Sequence, residues 1–248
     1  MTLKSSLRKL APRAIRAHRI LGGPLRGRII VTSLHDYPAA ILGRTEKPLL
    51  AWFRLNVKPG ETWLDVGAHY GYTAIALAEL VGSDGRVYAF EPSLTTAGHL
   101  NRTRELNGLP QIKVVPFGLG EPGELRVVSV PVDRGMANHT LGGSGSEEIY
   151  LIGLDQLWRT LGHGPVHGVK IDVQGMESQA LGGMTRILAE QHPKLILEFH
   201  AGVDRQRILE LLSGVGYRLP GKPIEPLPAE TEPAYHDDRS YAFDPMPA

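Results

Sequence analysis

Thr62-Trp63-Leu64-Asp65-Val66-Gly67-Ala68-His69-Tyr70-Gly71 is the most informative stretch of the chain. Residues 62–66 have the character of a strand, and they run into a turn that carries two glycines. The segment Tyr72 to Val81 that follows has the apolar pattern of a helix. A strand, a glycine turn and a helix open a βαβ unit. Gly67 supplies a backbone conformation that side chains disfavour, and it lets a ligand approach the main chain. Gly71 opens the helix, whose free N–H groups attract negative charge.

The alternation continues on both sides. Downstream, Arg86 to Phe90, Ile112 to Phe117, Glu124 to Val130, Val169 to Val173 and Leu195 to Phe199 read as strands. Ser93 to Asn107, Met176 to Glu190 and Asp204 to Gly214 read as helices. Upstream, Arg28 to Thr32 reads as a strand, and Glu46 to Leu55 as a short helix ended by Lys58-Pro59-Gly60. Apolar strands alternating with amphipathic helices predict an α/β fold, a mostly parallel sheet with helices on both faces. In such sheets ligands bind beyond the carboxyl ends of the strands.

Composition narrows the function. The chain has 248 residues, 42% apolar and 21% charged, which excludes wholesale disorder and a polytopic membrane protein. It has no cysteine, so disulfide frameworks, thiolate zinc sites, iron–sulfur clusters and a cysteine nucleophile are excluded. Lys+Arg 27 against Asp+Glu 26 is not the balance of a nucleic-acid binder, and no such partner is expected. There is no 18-residue apolar run, so no transmembrane span is expected. Arginines fill the place where a signal peptide would be apolar, and a cytoplasmic location is expected.

The charge is nevertheless uneven along the chain. Eight basic residues lie between Met1 and Arg28, and the first acid is Asp36. Leu3, Leu7, Leu10, Ala14, His18 and Leu21 recur at helical spacing, which predicts a basic helical extension over residues 1–26 ahead of a domain at 27–248. Such a helix suits a membrane surface, a targeting presequence or a simple cap on the domain. Within the domain the core spans 60–219, and a C-terminal loop and last strand occupy 220–248. The loop Gly221 to Asp238 is rich in proline and acids, and it reads either as a lid or as a solvated connection. Its acids are complementary to the basic N-terminus of the same or a second subunit, an arrangement a homodimer could use.

Three strand ends carry the chemistry. The spacing Gly67-x-x-x-Gly71 is not the G-x-G-x-x-G of a dinucleotide site, and Asp65 two residues earlier would repel a pyrophosphate. A carboxylate there attracts an ammonium or sulfonium, which S-adenosylmethionine carries, so the turn favours that cofactor. Glu91 ends the second strand, 24 residues after Gly67, where an acid either accepts both hydroxyls of a ribose or caps the next helix. Pro92 holds it out of the helical region. Phe117 and Gly118 end the third strand, where they either cradle an adenine ring or simply close the strand. Ala68 and His69 complete the glycine turn. Val169-Lys170-Ile171-Asp172 places Asp172 at a central strand end, with Lys170 on the same face as its partner.

These motifs together resemble the FkbM family of S-adenosylmethionine-dependent methyltransferases. The likeness rests on DVGAHYG (Asp65 to Gly71), AFEP (Ala89 to Pro92), VKIDVQGMES (Val169 to Ser178) and LILEFH (Leu195 to His200). Leu42 to Glu46 is similar to a glycine–glutamate signature that the family carries upstream. The resemblance implies the class I methyltransferase fold, Rossmann-like, with a seven-stranded sheet and a reversed last strand, for which Ser240 to Asp244 is the candidate. It also implies methyl transfer to oxygen, on a hydroxyl of a small molecule such as a sugar or natural product. Two positions depart from the family pattern: His69 replaces the usual Asn, and Gln174 the usual Glu. Glutamine keeps hydrogen bonding but cannot act as a base. An N-methyltransferase acting on peptide, protein or RNA, and a non-catalytic cofactor-binding protein, are the alternatives.

The hydroxyl must lose a proton, and the candidate bases are Asp172, Glu198, His200 and His139, with His69 beside the cofactor turn. Glu198 and His200 share a strand face by their spacing. His139 sits in a glycine-rich loop, Gly135 to Gly145, that could fold over a substrate. Asp172, Glu198 and His200 could also hold one Mg²⁺, although such a trio serves equally without metal.

Overall fold

The computed structural model describes residues 11–133, 135–137, 146–161, 164–228 and 233–246. The described chain opens with an antiparallel hairpin, β1 (Arg16–Arg19) and β2 (Ile29–Thr32), and then two helices, α1 (Pro38–Ile41) and α2 (Lys47–Asn56). The alternating body follows as β3 (Thr62–Val66), α3 (Tyr72–Val81), β4 (Arg86–Phe90), α4 (Leu94–Leu106) and β5 (Ile112–Val115). An insertion comprises β6 (Gly118–Leu119), β7 (Arg126–Asp133), β8 (Met136–Ala137), β9 (Ser146–Ile152) and α5 (Leu154–Leu161). The body resumes with β10 (Gly168–Ile171), α6 (Glu177–Gly182), α7 (Thr185–Gln191), β11 (Lys194–Phe199) and α8 (Arg205–Gly214). Two last strands close it, β12 (Lys222–Pro223) and β13 (Arg239–Phe243).

The main sheet has seven strands in the order β12-β13-β11-β10-β3-β4-β5. From β11 to β5 every pair is parallel, while β13 runs antiparallel to β11 and β12 antiparallel to β13. The reversed last strand that the family resemblance implies is β13, one residue ahead of the candidate Ser240 to Asp244. The order reverses at β3: the chain builds β4 and β5 on one side of it, then returns to lay β10 and β11 on the other. The turn after β3 lies at this switch point, where a ligand crevice forms.

Alternate residues of each strand feed separate cores. Trp63, Val87, Ala89 and Ile112 pack under α2, α3 and α4. Leu64, Val66, Tyr88, Phe90, Val169 and Ile171 pack under α5 to α8. Both faces of the parallel strands are covered, which is why they are apolar without alternation.

Several sequence expectations are corrected. Residues 16–19 form a strand and not a helix, because their main chain pairs with Ile29–Thr32 from Arg16↔Thr32 to Arg19↔Ile29. Leu21, which helical spacing places on an apolar face, is 61% exposed, whereas neighbouring Ile20 is fully buried. The position between residues 26 and 27, the expected start of the domain, falls inside the hairpin connection, and Ile20 and Ile30 share a core with the sheet. Residues 1–10 of the extension lie outside the described residues. The helix expected over Met176 to Glu190 is broken at Gly182 and Gly183. A Cβ on Gly183 would lie 1.9 Å from the Gly120 carbonyl oxygen, so only glycine permits that crossing. Asp155 then caps α7 by accepting from the N–H groups of Arg186 (2.8 Å) and Ile187 (3.0 Å). The C-terminal loop, in its described part, packs on the sheet edge: Tyr235 is buried against Phe199 and Tyr241.

The hairpin is pinned to α4 by side chains. Asn107 Oδ1 accepts from Ile29 N–H (2.9 Å), and Asn107 Nδ2 donates to Ile29 O (2.6 Å). Thr103 Oγ1 accepts from Val31 N–H (3.0 Å). Asn107→Ala leaves both main-chain groups of Ile29 without these partners and is expected to destabilise the protein by about 1–3 kcal/mol in urea unfolding. A change within a few tenths of a kcal/mol would show that the hairpin is held by apolar packing alone.

Candidate active site

A cavity of about 260 Å³ lies at the carboxyl ends of β3, β4, β10 and β11. Strand order divides its wall. On the β4 side it is apolar, with Phe90, Phe117, Leu119, Val130, Ile149 and Leu151. On the β10 side it is polar, with Glu46, Lys170, Asp172, Gln174 and Glu198, flanked by Tyr37 and Tyr72.

The turn between the two sides is tightly built. The N–H groups of Gly67 and Ala68 donate to Phe90 O at 3.0 and 2.9 Å. Gly67 has φ +79, and His69 takes a left-handed φ of 51. The His69 N–H donates to Glu91 Oε2 (2.9 Å), and the Ser93 N–H donates to Glu91 Oε1 (3.0 Å). Glu91 is buried at the tip of β4. Burial raises its pKa to about 8 against those two hydrogen bonds.

Lys170 organises the polar side. Its ammonium, buried on β10, reaches Gly67 O (3.2 Å), Asp65 Oδ1 (3.3 Å) and Asp172 Oδ2 (3.4 Å). Burial disfavours that charge, but Asp65, Asp172 and Glu46 outweigh it, and the pKa is raised. Burial likewise opposes the Asp172 carboxylate, but the Lys170 and His200 charges hold its pKa below the usual range. Glu198 moves the other way: burial, with the charges of Asp172 and Glu46, raises it to about 8.

His200 lies behind this wall. Its Nδ1 is 2.5 Å from Glu177 Oε1, and its Nε2 is 2.8 Å from Gln174 Nε2. Gln174 Nε2 also donates to Asp172 Oδ1 (3.4 Å), so the glutamine amide lies between the imidazole and the carboxylate. Burial opposes the imidazolium, but the Glu177 hydrogen bond and the charges of Asp172, Glu177 and Glu198 raise its pKa to about 9. The folded chain keeps this proton to about pH 9, whereas an unfolded histidine releases it near 6.5. The stabilisation is complete below about pH 6.5 and is lost as pH rises through 9. Urea unfolding is expected to show a fall of at least about 2 kcal/mol across that window, and His200→Gln should reduce it, leaving the part that Glu91 and Glu198 contribute up to about pH 8. An unchanged slope in the variant would assign the pH dependence to other groups.

Most of the sequence-predicted residues meet. Gly67, Ala68, His69, Glu91, Pro92, Phe117, Gly118, Asp172 and Glu198 all line the cavity. Three do not. Asp65 is fully buried beneath it, paired with Lys170 and accepting a hydrogen bond from Thr73 Oγ1 (2.7 Å). Gly71 packs against Leu100. His200 is 5% exposed and reaches the wall only through Gln174, Asp172 and Glu198. His139 lies outside the described residues. Ligand atoms of Asp172, Glu198 and His200 do converge within 4.8 Å of one another. Both His200 nitrogens already face partners, so a metal ion there would have to displace Gln174.

Among the cavity residues that sequence reading does not assign to the site are Glu46, Tyr37 and Tyr72. Glu46 appears in the sequence only as part of the upstream signature, and nothing in residue spacing brings it to Asp172.

The chain matches the methyltransferase FkbM domain over residues 65–219. It is 30% identical over 173 residues to the hexuronic acid methyltransferase AglP of Haloferax volcanii, covering 68% of this chain and 69% of that one. Among solved structures it is similar to the precorrin-6y C5,15-methyltransferase of Geobacter metallireducens, with TM-score 0.52 and 13% identity over 88% of this chain and 95% of that chain. It is also similar to Aeropyrum pernix fibrillarin in complex with S-adenosyl-L-methionine, with TM-score 0.50 and 15% identity over 94% of this chain and 88% of that chain. With its class I sheet and these motifs on the cavity wall, the chain belongs to the FkbM family of S-adenosylmethionine-dependent methyltransferases.

Proposed function

We propose that this enzyme methylates a hydroxyl oxygen of a small, sugar-like acceptor. The observation that carries the proposal is the pair of carboxylates, Asp172 and Glu198, on the cavity wall at adjacent strand ends. Carboxylates there accept hydrogen bonds from hydroxyls. The hexuronic acid methyltransferase supports a sugar, at 30% identity.

The residues present fit the cofactor. Each Glu91 oxygen accepts one main-chain hydrogen bond and keeps a lone pair for a ribose hydroxyl. Pro92, Phe117 and Gly118, with the apolar wall, would flank adenine, and the Gly67-Ala68-His69 turn would border the methionine portion. Asp65 and Gly71 would act indirectly, Asp65 by holding Lys170 in place. When bound, S-adenosylmethionine supplies a methyl group made electrophilic by its sulfonium.

Glu198, whose pKa is raised to about 8, is the proposed proton acceptor for the hydroxyl. Asp172 stays ionised and orients the hydroxyl. His200 is a positioning residue that holds Gln174 and Asp172. The test incubates the enzyme with S-adenosylmethionine and a panel of methyl hexopyranosides, methyl hexopyranosiduronates, phenol and simple amines, and identifies products by NMR. An O-methyl sugar is expected, and Glu198→Gln should lower its rate by about 10²–10⁴-fold. Methylation of amines alone would overturn the assignment to oxygen.

A further inference from the structure

Tyr37, Thr45 and Glu46 line the cavity, yet all three precede the segment that matches the family's domain at 65–219. The N-terminal part of the chain therefore contributes a wall to a cavity whose cofactor side is built elsewhere. That wall has two features that packing does not explain.

The first is Glu46. It stands at the N-terminal boundary of α2 with a left-handed φ of 54, a conformation that costs a non-glycine residue energy. Its carboxylate lines the cavity and accepts a hydrogen bond from Thr45 Oγ1 (3.2 Å). It caps no main-chain group of the helix it begins. Burial, and next the charge of Asp172, raise its pKa.

The second is Tyr72. It lines the same cavity and is only 2% exposed, but its hydroxyl has no hydrogen-bond partner among the described residues. A buried hydroxyl without a partner costs about 1–3 kcal/mol. Burial, and next the charge of Glu46, raise its pKa, so the two groups are electrostatic neighbours. Tyr37 joins them: its ring lies 6.3 Å from that of Tyr72 and 5.1 Å from that of His69.

We infer that Glu46 and Tyr72 form a hydroxyl-binding subsite for the acceptor, next to the reacting hydroxyl at Asp172 and Glu198. Glu46 accepts a hydrogen bond from a neighbouring hydroxyl, and Tyr72 donates one to it. A hydroxyl group is both donor and acceptor, so it satisfies the pair at once. The chemical class selected is a polyol with adjacent hydroxyls. An anionic group is disfavoured at this subsite, because Glu46, Asp172 and Glu198 crowd one side of the wall. Lys170 is the only ammonium or guanidinium among the described residues of that wall, and Asp65 and Asp172 already engage it. The inference rests on the sugar-like acceptor proposed above.

The test uses full-length wild type, Glu46→Gln and Tyr72→Phe, with three readouts. Thermal unfolding is expected to show Tyr72→Phe at least as stable as wild type, since no hydrogen bond is lost. Calorimetry is expected to give S-adenosylmethionine affinities within about threefold for all three proteins. With a methyl hexopyranoside that wild type methylates, both variants should raise KM at least about tenfold and change kcat less than KM. The same loss should appear when wild type is given the glycoside deoxygenated beside the methylated position.

S-adenosylmethionine binding weakened about tenfold in either variant would assign the wall to the cofactor and overturn the subsite. An unmoved KM with intact turnover would also overturn it, while leaving the sugar reading standing. A wild type that methylates only phenol, which has no neighbouring hydroxyl, would overturn both.

Discussion

Lys170→Met is expected to lower the unfolding free energy by about 3–5 kcal/mol at pH 7, the largest loss from any single charged residue of the site. The reason lies in what remains. Asp65 is fully buried, and its Oδ1 has no hydrogen-bond partner among the described residues; the Lys170 ammonium 3.3 Å away is its compensating charge. Asp172 and the Gly67 carbonyl lose the same ammonium. Methionine fills the volume but leaves two carboxylates close together without their cation. The deficit should shrink at acid pH, where protonation of Asp172, whose pKa the Lys170 charge holds down in the wild type, relieves the repulsion. Asp65→Asn added to Lys170→Met should recover part of the loss, because it removes the buried charge and not merely its partner. Urea titrations at about pH 7 and pH 4.5 check this. A loss below about 1 kcal/mol at pH 7 would mean that the buried pair is well solvated.

Gly67→Ala is the second large effect. A Cβ on Gly67 would lie 1.8 Å from the Asp172 carbonyl oxygen, and φ at +79 disfavours any side chain. The contact atom is main chain of the adjacent strand end, so nothing flexible can yield. The ends of β3 and β10 must part, which disturbs Lys170 and the cavity floor together. A destabilisation of about 3 kcal/mol or more is expected from overpacking plus backbone strain. S-adenosylmethionine affinity should fall by about 100-fold or more, a loss of about 2.7 kcal/mol of binding. Gly214→Ala is the control. That residue ends α8 with nothing within 4 Å of a would-be Cβ, so stability and affinity should stay near wild type. A Gly67→Ala protein that unfolds and binds like wild type would sink the close-approach argument.

Both effects arise where local pattern meets long-range packing. The glycine turn, the acid at Glu91 and the Lys170–Asp172 pair are legible in the sequence because each depends on local spacing. Strand period two puts Lys170 and Asp172 on one face, and the ladder Lys170↔Asp65 then sets the ammonium beside Asp65. The surroundings of Asp65 are not legible in the same way. Its charge is visible in the sequence, but the cation that meets it comes from β10, a strand at residues 168–171. His200 shows the same limit. Its spacing to Glu198 is local, whereas its burial against Glu177 and Gln174 depends on how α6 returns over β11.

The N-terminal strand departs from expectation for a different reason. Helical spacing of Leu3 to Leu21 is a real pattern, yet tertiary hydrogen bonds override propensity when a partner strand is available. The helix broken at Gly183 likewise answers to Gly120, a contact from a distant loop.

Residue periodicity and backbone preference act over a few residues, and they suffice for the strand–helix alternation and for the parallel sheet. They also place the acids and glycines at the strand tips, and with the family resemblance they anticipate the reversed last strand. Which carboxylates line the cavity and which are buried against Lys170 emerges only when distant strands pack together. The same holds for the part of the polar wall that Tyr37 and Glu46 build. Those outcomes depend on burial and on charges brought together across the fold, and neither is a property of any short stretch of chain.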